Sequence, residues 1–262
     1  MTMFSTARRH TRLIGALMLR EATTRFGREW GGFLWVFGEP LIFCVGVLFM
    51  WGIIKPEYEH GIRVGPFIMT GYLCLTLLRH MISGTGNGLQ ANVGLLHHRQ
   101  VTIYHVMFSR NLVEFFGGTG AFVIVYIALY FMGEVNFPTN WPRWLLLLEG
   151  WFLCGWVSMA VATFIASLIL RFEFLERAVA VASYTMIPAS GCFTMAAWVP
   201  AQYRDEYLMI PLPHSVEMVR GAVFGEFVHT YYNPLYAFAW GAVLLFAGLV
   251  FFSDAKDRMI ID

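Results

Sequence analysis

Few side chains in this sequence carry chemistry, and their placement points to passage through a membrane rather than to bond making. Glu39 precedes Pro40 inside the apolar run Leu34–Ile54. A carboxylate in hydrocarbon is costly unless it meets protein or a water-filled path. A proline there removes a helix hydrogen bond and frees a backbone carbonyl. Arg25 and Arg28 stand just before that run. Two uses fit them: gripping anionic lipid, or facing an entrance for an anionic substrate. Further on, His214, Glu217 and Arg220 recur every third residue, along one side of a helix whose first turn Pro213 suits. An acid between two potential cations makes either a structural polar network or a gate at the outer exit. Trp35, Tyr72, Trp151 and Tyr184 lie inside apolar runs. Their flat faces and polar edges suit an amphipathic polymer, although membrane cores use aromatics too.

Other chemistry is missing. No G-x-x-x-x-G-K-[ST] occurs, and Lys55 and Lys256 are the two lysines of the chain, so a Walker loop for ATP is absent. There is no HExxH and no GxSxG. Cys44, Cys74, Cys154 and Cys192 are too widely spaced for a metal or redox motif and read as small apolar fillers. His97 and His98 have no third ligand at useful spacing. No catalytic residue, metal or cofactor is therefore assigned to this chain. An intramembrane enzyme using His80, Glu114 or His214 lacks any acid–base–nucleophile spacing. Inside the runs the carboxylates are little more than Glu39, Glu114 and Glu149, too few for an ion-coupled pump. Energy for active transport would come from another subunit.

These residues must be positioned by membrane helices. Of 262 residues, 58% are hydrophobic and 13% charged, against about 25% charged in soluble domains. Six runs approach or reach the roughly 20 residues a bilayer helix needs: Leu34–Ile54, Val64–Ile82, Met107–Met132, Trp144–Leu170, Ala178–Trp198 and Pro234–Ser253. Pro188 breaks the fifth. Arg8, Arg9, Arg12, Arg20, Arg25 and Arg28 precede the first run, and most of the 18 Lys and Arg fall on that same side. Both termini are therefore expected in the cytoplasm. No secretory signal peptide is expected. A net charge of +1 makes no case for nucleic acid.

Three segments flank the runs. Leu13, Ile14, Leu17, Met18 and Ala22 share a helical face opposite Arg9, Arg12 and Arg20, the pattern of a helix lying in the membrane surface. Glu21, Arg25 and Arg28 intrude on its apolar side, with Glu21 and Arg25 four residues apart in the order that favours an ion pair. After the second run, Leu89, Val93 and Leu96 recur at helical spacing between Gly88 and His97. Such a short amphipathic helix needs a cover, and a partner protein fits better than lipid because Lys/Arg density and a Trp/Phe face are lacking. After the fifth run, short amphipathic pieces point to a re-entrant hairpin buried by protein.

In order along nearly the whole chain, Arg20-Glu21, Arg25-Phe26-Gly27-Arg28, Gly32, Leu34-Trp35, Glu39-Pro40, Phe67 to Gly71-Tyr72, Asn92 to Leu96, Arg110, Glu114, Ser190-Gly191, Pro200 and Pro213-His214-Ser215-Val216-Glu217 to Arg220 resemble the membrane subunit of type-2 ABC exporters. The likeness is to the capsular-polysaccharide branch, with O-antigen permeases as near relatives. Leu212 departs from the asparagine many relatives carry there. The resemblance implies an all-α polytopic membrane protein of one domain, residues 1–262, with a gate helix in 1–32 and six spans in 33–262. It implies a homodimer with two cytoplasmic ATPase subunits that hold ATP and Mg. Gly88, Leu89, Asn92, Val93 and Leu96 would form the coupling helix that docks on the ATPase, and the hairpin would cap the outer exit. The cargo would be a lipid-linked acidic polysaccharide crossing a Gram-negative inner membrane, handed to a periplasmic co-polymerase and an outer-membrane exporter; O-antigen, teichoic acid or a small lipophilic drug is the alternative cargo for a permease of this type.

Overall fold

The computed structural model describes residues 3–26, 30–91, 101–172 and 174–259. In chain order, the α-helices among them are α1 (Met3–Phe26), α2 (Trp30–Ile54), α3 (Val64–Ala91), α4 (Ile103–Phe131), α5 (Trp141–Arg171), α6 (Phe174–Ala189), α7 (Ala201–Tyr207), α8 (Pro211–Phe224) and α9 (Pro234–Met259). Between α2 and α3 the chain forms a short two-stranded hairpin, β1 (Tyr58–Glu59) and β2 (Ile62–Arg63), in a chain that is otherwise helical, as expected. Its turn is His60-Gly61, both with positive φ, the backbone that a tight two-residue hairpin requires.

Among the described residues, four helical segments are long and apolar enough to cross a membrane: Leu34–Ile54, Ile103–Phe131, Trp141–Arg171 and Pro234–Ser253. They coincide with the first, third, fourth and sixth runs. The second run lies in α3, which continues to Ala91, so Gly88 and Leu89 extend that helix rather than beginning a separate one. Asn92, Val93 and Leu96 lie outside the described residues. The fifth run is not one helix. α6 ends at Ala189, about 24 Å long, and the chain then turns through 190–195 into a 3₁₀ turn at Ala196–Trp198.

α3 is the central element and packs on α2, α4, α5 and α8. Its flanks are protein, which explains Thr70, Thr76 and Thr85 in its buried surface. Thr70 and Thr85 return their hydroxyls to carbonyls one turn back, on Pro66 and Met81. Leu73, Leu77 and Met81 of α3 join Phe122, Val125, Trp151, Val157 and Val219 in the main core. Trp151 is thus buried between α4 and α5, donating its indole N–H to Thr119 at 2.9 Å. Its ring lies against those of Phe115 and Phe122. α5 packs most extensively on α9 and α8.

The outer faces of α2 and α9 are apolar and exposed, with Phe49 and Phe246 among the most open side chains. Trp35 is half exposed on α2. The carbonyl that Pro40 deprives of its N–H partner is that of Val36. It lies against α4, where a Cβ added to Gly117 would be 2.8 Å from the Val36 oxygen. One turn on, the ring of Phe37 fills the space above Gly120. The kink residue and the glycine pair therefore make one close crossing of α2 on α4. Gly117→Ala is expected to push the helices apart and cost about 1–3 kcal/mol. Gly46→Ala, with nothing within 4 Å of its Cβ, should leave stability unchanged or raise it. Thermal unfolding of both variants in the same detergent checks the contrast.

Candidate functional site

The polar residues expected after the fifth run do converge, around the broken end of α6. Pro188 sits in the last turn of that helix, and Gly191 takes φ +78. Only a residue without a side chain fits there, since a Cβ would lie 2.8 Å from the Tyr207 hydroxyl oxygen. The backbone of 191–199 follows no helix continuously, so its polar groups need partners from elsewhere. Ser190 supplies one, accepting from the Cys192 N–H at 3.1 Å.

Arg220 supplies most of the others. Its Nη1 donates to the carbonyls of Gly191 at 2.7 Å and Thr194 at 2.9 Å, and Nη2 donates to Cys192 at 2.6 Å. The guanidinium is fully buried and stacks over Phe67 of α3 at 4.2 Å. Close approach of α3 to this turn depends on Gly71, where a Cβ would fall 2.1 Å from the Cys192 oxygen. Glu217 lies 3.9 Å from Arg220 and binds backbone on both sides. Its Oε1 accepts from the Ala196 N–H at 3.2 Å and Oε2 from the Tyr231 N–H at 3.1 Å. Burial pushes the Glu217 carboxyl above its usual range, opposed by Arg220 and the two N–H donors.

His214 is on the same helix side but does not share Glu217. This corrects the expected arrangement of one acid between two cations. Its Nδ1 accepts from the Asn233 N–H at 3.1 Å, and Nε2 lies 2.8 Å from the Leu208 carbonyl. That set fixes a neutral ring with the proton on Nε2, donated to Leu208. Burial holds its pKa below the ordinary value, and the neighbouring ring is Tyr236. Two further side chains extend the pattern. Arg204 donates to the carbonyls of Ala196 and Val199, and Tyr236 donates to Met209. Helix α8 begins at Pro211, two residues before the proline expected to open it. It crosses α5 at Gly150, near that helix's N-terminal end.

At the opposite end of the bundle, α1 keeps the expected faces. Arg9, Arg12 and Arg20 are exposed, and Leu13, Ile14, Leu17, Met18 and Ala22 are covered to differing degrees. What covers them is α4 and α2, so the apolar stripe meets protein. Glu21 pairs with Arg110 of α4, which explains a charge on the apolar side of the wheel. Beside it, His80 of α3 lies 3.7 Å from Glu114, and Thr85 donates to Asn111 at 3.2 Å. His10 and His105 stack and share a 2.7 Å hydrogen bond between α1 and α4. This cluster was not legible beforehand: Glu21 and Arg110 are 89 residues apart, and the misplaced Glu21 was its one signal. Glu39 is half-buried in α2, and Tyr72 is partly buried between two core clusters. Arg28 and the side chains of Arg25 and Tyr184 lie outside what is described.

Replacing Arg220 by Met removes three carbonyl partners and strands the Glu217 charge, and should cost about 3–5 kcal/mol. The readout is the unfolding temperature together with protease resistance of the 190–233 segment. His214 gives a pH signature. Its folded pKa is depressed, so its contribution is complete above about pH 6.5 and is lost as pH falls through the lower folded value. Wild type should therefore lose stability below about pH 6.5 relative to His214→Gln; parallel pH profiles of the two proteins would contradict the neutral-ring assignment.

No family model matches the sequence. Individual relatives do. The chain is 34% identical over 238 residues to the capsule polysaccharide export inner-membrane protein CtrC of Neisseria meningitidis serogroup A, covering 91% of this chain and 89% of that protein. It is 30% identical to the capsule polysaccharide export inner-membrane protein BexB of Haemophilus influenzae, again over 91% and 89%. The polysialic acid transport protein KpsM of Escherichia coli is 25% identical over 251 residues, 94% of this chain and 95% of that one. Full-length identity of this order, on a helical chain with four apolar spans, places the protein in the family of capsule polysaccharide export inner-membrane permeases.

Proposed function

We propose that this chain is the transmembrane subunit of an ATP-driven exporter that moves lipid-linked acidic capsular polysaccharide from cytoplasm to periplasm. The observation that carries the proposal is end-to-end similarity to capsule-export inner-membrane proteins in a chain with no Walker loop of its own. One relative's name specifies an acidic polymer, polysialic acid, which supports an anionic cargo. In this reading two copies form the channel between them, and two ATPase subunits bind ATP and Mg in the cytoplasm. Both termini face that side, in keeping with the arginines that precede α2. Six spans are completed by α3 and by α6 with its hairpin.

This reading gives the residues the following roles. Arg25 and Arg28 attract the anionic chain at the inner rim. Trp35, half exposed on α2, together with Glu39, Tyr72, Trp151 and Tyr184, borders the route. The tail of α3 from Gly88, with Asn92, Val93 and Leu96, docks in the ATPase. α1, clamped to α4 through Glu21 and Arg110, moves as the inner gate. The Arg220–Glu217 hairpin keeps the outer cap folded while the gate works. A periplasmic co-polymerase and an outer-membrane exporter carry the polymer onward.

Affinity purification of the tagged chain should bring down a Walker-containing ATPase. The complex should hydrolyse ATP and the chain alone should not. Recovery of the chain without any nucleotide-hydrolysing partner would reject the proposal. Leu89→Asp should lower coupled ATPase activity and capsule export at least about tenfold while leaving membrane insertion intact. Wild-type activity in that variant would move the docking surface elsewhere. Arg25→Glu should reduce export with little change in unfolding temperature; normal export would return Arg25 to a lipid-anchoring role.

A further inference from the structure

The space between α2 and α4, at the end of the bundle that carries the β-hairpin, belongs to neither site above. It is a cavity of about 530 Å³, within the roughly 300–1,000 Å³ of sites for small amphiphiles. Val45 and Phe49 of α2 and Ile124 of α4 line it, and all three are also among the exposed apolar side chains. The cavity is therefore open sideways, toward the surface that faces bilayer. Gly52 lines it too, and nothing lies within 4 Å of where its Cβ would be. A glycine inside a helix costs stability relative to alanine, and here no close packing requires it. What the missing side chain does is keep the cavity open.

The mouth is polar and of mixed sign. Lys55, Glu57 and Glu134 border it. Lys55 binds Glu59 at 2.6 Å and sits over the Trp51 ring. Arg63 lies 3.7 Å from Glu134 and donates to the Tyr58 hydroxyl at 2.9 Å. Two cations thus face three carboxylates at the end of an apolar wall. An acyl chain lying along α2 and α4 would bring its headgroup to this rim. A phosphate beside Lys55 would be attracted, and an ammonium would meet Glu57 and Glu134. A purely anionic headgroup would meet a surplus of carboxylates instead. We propose that this cavity is a phospholipid site that takes one acyl chain of an amine-bearing, zwitterionic lipid.

The test reconstitutes the full chain in nanodiscs holding equal amounts of phosphatidylethanolamine and phosphatidylglycerol of matched chain length. After release into mild detergent, retained lipid is weighed by native mass spectrometry. Wild type should retain phosphatidylethanolamine in preference to phosphatidylglycerol. Gly52→Leu, which projects into free space, should lower that retention roughly tenfold. Glu57→Gln, at an exposed position outside the helices, should erase the preference between headgroups while keeping retained lipid. Equal retention of both lipids by wild type, or unchanged retention in Gly52→Leu, overturns the proposal. So does efficient disulfide formation between two Gly52→Cys copies in membranes, which would make the groove a contact between protomers. These readouts need no export and no ATPase, so they stand apart from the transport reading.

Discussion

A helix that stops partway through an apolar run leaves backbone groups that must find partners within the protein. Here one guanidinium meets most of that demand. Arg220 donates to three carbonyls of the turn after α6, and the surrounding residues are arranged so that it can. Gly71 lets α3 come close enough to enclose the turn. Phe67 offers a ring face to the cation. Glu217 balances its charge while spending its own lone pairs on the N–H groups of Ala196 and Tyr231. A buried ion pair by itself is a weak source of stability. This one is explained by the irregular backbone it satisfies, which hydrophobic replacements would leave bare.

The same logic organises the other polar residues. His214, Arg204 and Tyr236 each serve backbone of the hairpin, and each comes from a different stretch of chain. At the far end of the bundle, Glu21 and Arg110 join α1 to α4, and His80 approaches Glu114. Between these two polar layers the interior is apolar around α3, with α2 and α9 turning open hydrophobic faces outward.

Much of the fold was legible because lipid imposes a simple rule on sequence. Runs such as Leu34–Ile54 and Pro234–Ser253 are apolar all round, and at that length such a pattern suits a bilayer helix and little else. Pro188 and Gly191 announced the break in the fifth run. The helical spacing of His214, Glu217 and Arg220 placed them on one side of α8. Less legible was α3, whose threonines, Arg79 and His80 dilute its apolar signal because it packs on protein. Trp151 is buried against α4 in the fold, a placement the sequence did not encode, since an aromatic inside a membrane run looks the same whichever way it points. The hairpin at Tyr58–Arg63 is too short for any periodic signal.

By itself the sequence determined membrane residence, the positions of the apolar spans, the absence of a Walker loop and the alignment of His214, Glu217 and Arg220 along one side of a helix. Each of these follows from composition and local spacing, which solvent transfer energies decide residue by residue. Only the tertiary structure decided the pairings: Glu21 with Arg110, Arg220 with the carbonyls of 191–194, His214 with Leu208 and Asn233. Those bonds join residues distant along the chain or fix which of several equivalent donors is used. Such choices depend on how helices cross, at Gly117 and Gly71 above all, and on distances of a few ångströms that local spacing does not encode.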